Sequence, residues 1–371
     1  MDPRPLKPEP RLLLVTPRYA PLTGGVETHV REIASRLANR GFRVSVLTTD
    51  LDGTLPPVDV ARNVELIRVR AYPKGRDYYW SPDVYRVVAS RDWDIIHCQG
   101  IHTFIPVFAM IAAIRRRTPF FLTFHTGGHS SRLREAIRRW QWLLLAPLLR
   151  RAVRLIAVSE FEERLFASVP GLSKRRIVVI PNGADLPHHE DPAVVVDRNL
   201  IVSSGRLERY KGHQHAIAAM ARLVDRLPDV HLRIVGSGPY RTALETTAER
   251  LGVSDRVTIA SIDSTDREAV ARLLGRAGVV VLLSDYEAHA IAAIEAIALG
   301  RPVVVADSTG LHDLVQAGLA RGVSSADDSG EVADAIYAEI QSPTPRPTSI
   351  PTWDDAAARL AELYERAIAG T

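Results

Sequence analysis

A single cysteine, Cys98, stands among 371 residues. One cysteine excludes an internal disulfide and any cysteine-built metal cluster, and it fits a reducing, cytoplasmic setting. Long apolar runs are missing as well. The two longest, residues 140–149 and 107–114, fall well short of the ~20 residues a membrane-spanning helix needs, and arginines flank both. The first ten residues, MDPRPLKPEP, lack the apolar stretch of a secretory signal and read as a loose tail. No short-period repeat is visible, which argues against a solenoid.

What is present is the composition of an ordinary globular protein, with 46% hydrophobic and 24% charged residues. The length is generous for one core, so two domains are expected. The net charge of +4 conceals an asymmetry. Residues 1–196 carry 29 Lys and Arg against 19 Asp and Glu, and residues 197–371 carry 18 against 24. The halves therefore hold +10 and −6. A basic first half suits an anionic partner such as an acidic membrane surface or a phosphorylated acceptor; an arginine-rich solvated surface is the plain alternative.

Short β-branched runs alternate with amphipathic stretches, the pattern of βαβ units and parallel sheets. In the first half the expected strands are residues 11–16, 43–48, 65–69, 94–97, 120–124, 155–158 and 177–180, with a helix over 26–39 that Gly41 ends. Residues 184–198 are polar and carry proline and two adjacent histidines, so they read as a linker. The alternation then restarts, with strands at 200–204, 231–235, 256–260, 279–283 and 302–306 and helices at 213–226, 240–251, 266–276 and 290–299. An amphipathic helix is expected at 352–369, after a proline-rich stretch. The predicted organisation is a first domain over 11–183, a linker over 184–198, a second domain over 199–345 and a closing helix. Two doubly wound halves expect a ligand at the carboxyl ends of their strands.

Two segments carry chemistry. SSGRLERYKG, residues 203–212, lies between a strand and a helix, where glycine, two cations and a helix start suit a diphosphate. Arg206 offers a planar fork and Lys211 a compact charge, and both would stabilise charge on a departing diphosphate. A surface loop with incidental cations is the plain alternative. In SDYEAHAIAAIEAIALGRPVVVA, residues 284–306, Glu295 falls in an apolar helix, where a lone carboxylate is costly to bury. Glu287 stands at the end of the preceding strand. Two acids there suit a sugar and a ribose, whose vicinal hydroxyls donate to carboxylates; the plain alternative is a capping acid plus one satisfied by a neighbouring cation.

Together these segments resemble the donor-binding half of family 4 retaining glycosyltransferases of the GT-B fold. TPRYAPLTGGVETHVREIASRLANRGFRVSVLTTD resembles the family's opening strand, loop and helix. TFHT (residues 123–126) resembles its acceptor-side histidine strand, and IAVSEFEERLF with RRIVVIPNGAD resembles the end of its first domain. The similarity runs in order from about residue 11 to residue 315.

The resemblance implies an α/β GT-B protein of two facing Rossmann-like domains, with the C-terminal helix returning to the first. It implies a hexosyltransferase that needs no cofactor and takes a UDP-, GDP- or ADP-sugar as donor and a glycan, lipid-linked or small-molecule hydroxyl as acceptor. Arg206 and Lys211 would bind the diphosphate, with Gly24 and Gly25 letting the first loop approach it. Glu287 would contact the transferred sugar, His125 would lie near it, and Glu295 would meet the ribose. Backbone amides near His289, Ala290 and Ile291 would face sugar or phosphate. His289 and Ala290 replace the family's usual aromatic and glycine, and Ser261 a common glycine, which leaves donor sugar and base open. Retention without a metal is implied, and the DxD spacings at Asp50 and Asp52 and at Asp92 and Asp94 read as incidental.

Three further readings remain. A nicotinamide oxidoreductase is disfavoured because GSGPYR, residues 236–241, lacks the third glycine of the fingerprint. A non-catalytic partner subunit fits poorly with intact cations and glutamates. Another GT-B enzyme, such as a sugar-phosphate phosphorylase or an epimerase, stays open. Residues 132–154 mix seven arginines with Trp140, Trp142 and leucines, suiting either an interfacial helix on anionic lipid or a packed helix interrupted by Pro147. Loops at 100–103 and 127–134 are expected to shape the acceptor pocket.

Overall fold

The computed structural model describes residues 9–22, 24–73, 79–126, 132–186, 195–263, 266–344 and 350–370, with the side chains of 132–139 outside the description. The chain divides into two compact units. One takes in Met1–Thr126, Ala136–Asn182 and Trp353–Thr371, and the second includes Gly183–Thr352.

In the first unit the elements run β1 (Arg11–Val15), α1 (Gly25–Asn39), β2 (Arg43–Asp50), β3 (Val58–Ala61), β4 (Val64–Arg70), α2 (Pro82–Ser90), β5 (Ile95–Gln99), α3 (Phe104–Arg116), β6 (Phe120–Thr123), α4 (Arg132–Leu149), β7 (Arg154–Ala157), α5 (Glu160–Ala167) and β8 (Ile177–Val179). Among the described residues they form an eight-stranded sheet in the order β3-β4-β2-β1-β5-β6-β7-β8, parallel except for β3. The central strand β1 reads RLLLV because a strand covered by helices on both faces has no solvent side, and Leu12 to Val15 are fully buried. The edge strand β3 escapes the sequence reading because Val58 and Val60 lie exposed and give no buried face to pattern. Ser159 caps α5 by accepting from the Glu162 amide.

The second unit continues with β9 (Asp197–Ser204), α6 (His213–Leu223), β10 (His231–Val235), α7 (Arg241–Arg250), β11 (Val257–Ala260), α8 (Arg267–Arg276), β12 (Ala277–Leu282), α9 (Ile291–Ala298), β13 (Val303–Ala306), α10 (Thr309–Gln316), β14 (Arg321–Val323) and α11 (Ser329–Gln341). Its described strands form one parallel sheet in the order β11-β10-β9-β12-β13-β14. The order reverses between β9 and β12, and open α/β sheets bind ligands at that point, beyond the carboxyl ends of the strands.

The expected linker is corrected at both ends. Ala184 and Leu186 are buried in the second unit's apolar cluster, and β9 already begins at Asp197. Its polar centre, with His188 and His189, lies outside the described residues. The last helix, α12 (Trp353–Ala369), belongs to the first unit and packs on α1.

Candidate donor and acceptor sites

The Gly205–Gly212 loop leaves β9 and the Ser284–Ala290 segment leaves β12, on the two sides of the switch point. They meet there. Lys211 Nζ donates to Glu287 Oε1 at 2.5 Å, and both side chains are mostly buried, at 17% and 15% exposure. Ser284 Oγ adds a hydrogen bond to the same carboxylate oxygen at 3.0 Å. The approach depends on Gly212, whose φ is +74° and whose Cβ, were there one, would lie 1.9 Å from the Leu283 carbonyl oxygen.

Tyr210 and Tyr286 stack at 4.5 Å with nearly parallel rings, tying the two loops together beside the Lys211–Glu287 pair. Arg206 donates to the Tyr210 hydroxyl at 2.7 Å and pairs with Glu208 at 2.9 Å, with half of its side chain in solvent. Burial pushes the Tyr210 phenol up to about 12, so it stays a neutral hydroxyl. His213, at the start of α6, donates from Nε2 to the Arg206 carbonyl at 3.2 Å and meets Ser203 Oγ through Nδ1 at 2.8 Å. Burial lowers its pKa to about 4, so at neutral pH the ring is neutral, with Nε2 donating and Nδ1 accepting from Ser203.

Glu295 lies in α9, 4% exposed, and Arg267 at the start of α8 pairs with it. The alternative of a carboxylate satisfied by a neighbouring cation therefore describes its surroundings. The start of α9 has no side-chain cap: Ala290 occupies the N-cap position and Ile291 the first turn. Uncapped amides at a helix start favour an anion. The Nδ1 of His289 is buried without a partner, and burial lowers that imidazole to about 4.

Thr309, the first residue of α10, carries a φ of +45°. A β-branched residue in the left-handed region costs about 1–2 kcal/mol, so some neighbour must enforce it. Its hydroxyl lies against the Glu287 backbone.

In the first unit His125 follows β6, with φ +54° and 9% exposure. Its Nε2 donates to Gln99 Oε1 at 2.8 Å, and its ring meets His29 edge-on at 4.6 Å. Glu162 holds the same loop, accepting from the amides of Thr126 and Val158. Gly24 is extended, and a Cβ there would meet only the flexible Glu27 side chain; at Gly25 a Cβ would meet nothing within 4 Å. The protein's own packing thus requires neither glycine. Asp50 accepts from the amides of Asp52, Gly53 and Leu55, while Asp94 accepts from the Arg11 amide and Asp92 pairs with Arg116. Both DxD spacings serve turns and strand ends. Gly236 and Gly238 lie hard against the Gly205 and Leu207 backbone, which explains GSGPYR by packing.

Sequence reasoning passed over Tyr210, Tyr286, Ser284, Arg267 and Thr309. Each is one residue without a spacing pattern, and its role appears only when the loops are brought together. Of the expected acceptor loops, Thr103 caps α3, while 127–131 and the side chains at 132–134 lie outside the described residues. In α4, Trp142 packs against Phe166 and is buried, as the packed-helix alternative expects of it. Trp140 and Leu144 remain 71% and 80% exposed. No described helix is long and apolar enough to cross a membrane.

The buried histidines carry a pH prediction. Burial lowers His97 to about 3 and His213 and His289 to about 4, and holds His125 well below its ordinary value. A depressed folded-state value means the unfolded chain takes up more protons below the ordinary histidine value of 6.5. Their stabilisation is thus complete above 6.5 and declines as pH falls toward 4 and 3. Each such histidine contributes a slope of about 1.4 kcal/mol per pH unit. Glu162, pushed by burial up to about 8, opposes them with one group against four. The melting temperature should fall between pH 7 and pH 5; a rise over that interval would contradict the assignment.

Two mainly parallel, doubly wound units form the GT-B fold, and the family matches place the chain among the glycosyltransferases. The chain belongs to the family 4, group 1 glycosyltransferases. Glycosyltransferase Family 4 matches residues 23–188, and Glycosyl transferases group 1 matches residues 187–346. An uncharacterized glycosyltransferase of Methanocaldococcus jannaschii is 27% identical over 82% of this chain and 83% of its own. The D-inositol 3-phosphate glycosyltransferase of Nocardiopsis dassonvillei is 29% identical over 89% and 82%. Sucrose-phosphate synthase from Thermosynechococcus elongatus superposes with a TM-score of 0.79 at 21% identity, covering 98% of this chain and 100% of that one.

Proposed function

We propose that this enzyme moves a sugar from a nucleoside-diphosphate sugar to a hydroxyl acceptor with retention at the anomeric carbon and without a metal. The observation that carries the reading is the Lys211–Glu287 contact at the switch point, beside the uncapped start of α9. Lys211, Arg206 and the amides near His289, Ala290 and Ile291 are assigned to the diphosphate and sugar; together they supply the positive field that a departing diphosphate needs. Glu287 is assigned to the sugar hydroxyls. Glu295, held by Arg267, is assigned to the ribose, since a carboxylate accepts several hydrogen bonds at once. To Gly24 and Gly25 we assign close approach of the phosphates, and to the neutral His125 a contact with the transferred sugar.

In the step itself the bond from the anomeric carbon to the diphosphate oxygen breaks, and the acceptor oxygen bonds the same face. The acceptor proton passes to a diphosphate oxygen. The test is a screen of UDP-, GDP- and ADP-sugars read by mass spectrometry, with the product anomer assigned by NMR and a parallel reaction in chelator. Consumption of none of these donors, or an inverted product, would remove the reading.

Exposed Trp140 and Leu144, with arginines at 150 and 151, support peripheral contact with anionic lipid. The protein should pellet with anionic vesicles and stay in the supernatant with neutral ones, and the Trp140→Ala, Leu144→Ala double variant should lose that difference. Equal behaviour with both vesicle types ends the membrane proposal.

A further inference from the structure

Glu287 sits in a segment without helix or strand, yet its carboxylate is held against Lys211. The order comes from the start of α10. The Thr309 hydroxyl accepts from the Glu287 amide at 2.8 Å and donates to the Glu287 carbonyl at 3.0 Å. The Gly310 amide reaches that carbonyl at 2.9 Å, and Ser308 Oγ donates to the Ser284 carbonyl at 3.1 Å. A Cβ on Gly310 would lie 2.1 Å from the Ala288 carbonyl oxygen, so the two segments touch backbone to backbone. Both main-chain polar groups of Glu287 are thereby fixed by one side chain, and that side chain comes from a residue in a disfavoured conformation. Strain of this kind persists only where surrounding contacts over-determine it.

We propose that Thr309 is a positioning residue for sugar transfer: its hydroxyl sets the direction in which Glu287 presents its carboxylate. This rests on the reading that Glu287 contacts the transferred sugar. Thr309 itself touches no substrate; it acts through the Glu287 backbone. Glycine would accept the positive φ more readily than threonine, so the strain by itself gives no reason for a hydroxyl here.

Three variants separate the roles. Thr309→Gly keeps the backbone conformation accessible and removes the hydroxyl. Thr309→Val removes it while keeping the shape, and Thr309→Ser restores both hydrogen bonds. With the donor found in the screen, kcat should fall about tenfold or more in the Gly and Val variants, the size expected for two lost hydrogen bonds. The donor KM and the thermal shift produced by the matching nucleoside diphosphate should stay within about threefold of wild type. Serine should recover most of kcat. In parallel, amide exchange of residues 284–290 should quicken in the Gly variant and stay slow in the Ser variant. A Gly variant with wild-type kcat overturns the proposal. So does a Ser variant as impaired as Gly, or a loss of kcat that only tracks a lowered melting temperature. A wild-type protein that turns over no donor sinks the functional reading instead, and unchanged exchange in the Gly variant then still rejects the clamp.

Discussion

Replacing Lys211 with alanine should lower kcat/KM for sugar transfer by a hundredfold or more. The ammonium lies 2.5 Å from Glu287, and both groups are largely withdrawn from water. Electrostatic stabilisation of a leaving diphosphate is strongest where donors are fixed and the dielectric is low, and losing one such donor commonly costs 10²–10³ in kcat. The variant should lose stability too, because removing one partner of a buried pair leaves an unpaired charge at a cost of about 3–5 kcal/mol. Glu287→Gln separates the two effects. The amide still accepts a hydrogen bond from Lys211, so the melting temperature should shift less than in Lys211→Ala, while kcat should still fall at least tenfold. A double-mutant cycle of Lys211→Ala and Glu287→Ala should be strongly non-additive in stability, since each single change strands the other charge. Wild-type turnover in Lys211→Ala would remove the pair from the reaction.

Ending the chain before α12 should abolish stable folding of the first unit. Trp353 and Tyr364 are fully buried although they lie in the last twenty residues. The Tyr364 hydroxyl meets His97 Nδ1 at 2.5 Å, and its ring packs edge-on against Phe42, His97 and Phe121. Trp353 packs edge-on against His29, which bonds Asn182. Truncating a buried aromatic to alanine costs about 3–5 kcal/mol, so Trp353→Ala or Tyr364→Ala should lower the first unit's melting temperature by roughly 10 °C. Tyr364→Phe isolates the hydroxyl. It leaves a buried imidazole nitrogen short of a partner, at about 1–3 kcal/mol. Calorimetry should show a change in the first unit's transition and leave the second unit's near its original temperature. An unshifted profile would mean that α12 adds nothing to that core.

Most of the fold was legible because its parallel strands are buried on both faces and read as continuous apolar runs such as RLLLV and VVVA. The strand β3 was not legible, because its valines face solvent. Around the site, Lys211 and Glu287 were legible as members of ordered segments. Arg267 was not, because it comes from a different helix and only its pairing with Glu295 gives it meaning. Trp142 and Trp140 are two residues apart in one arginine-rich stretch, yet one is core and the other surface.

The amino-acid order by itself determined the alternation of strands and helices, the two-part division and the ordered segments that carry the family resemblance. Those features arise from neighbours a few positions apart, whose periodicity sets which face is buried. The tertiary structure alone decided that residues 211 and 287 touch, that Arg267 answers Glu295, that Thr309 grips the Glu287 backbone, and that the final helix completes the first core. Such contacts depend on strand order and crossover connections, which bring distant segments to one end of a sheet and leave no local trace in the chain.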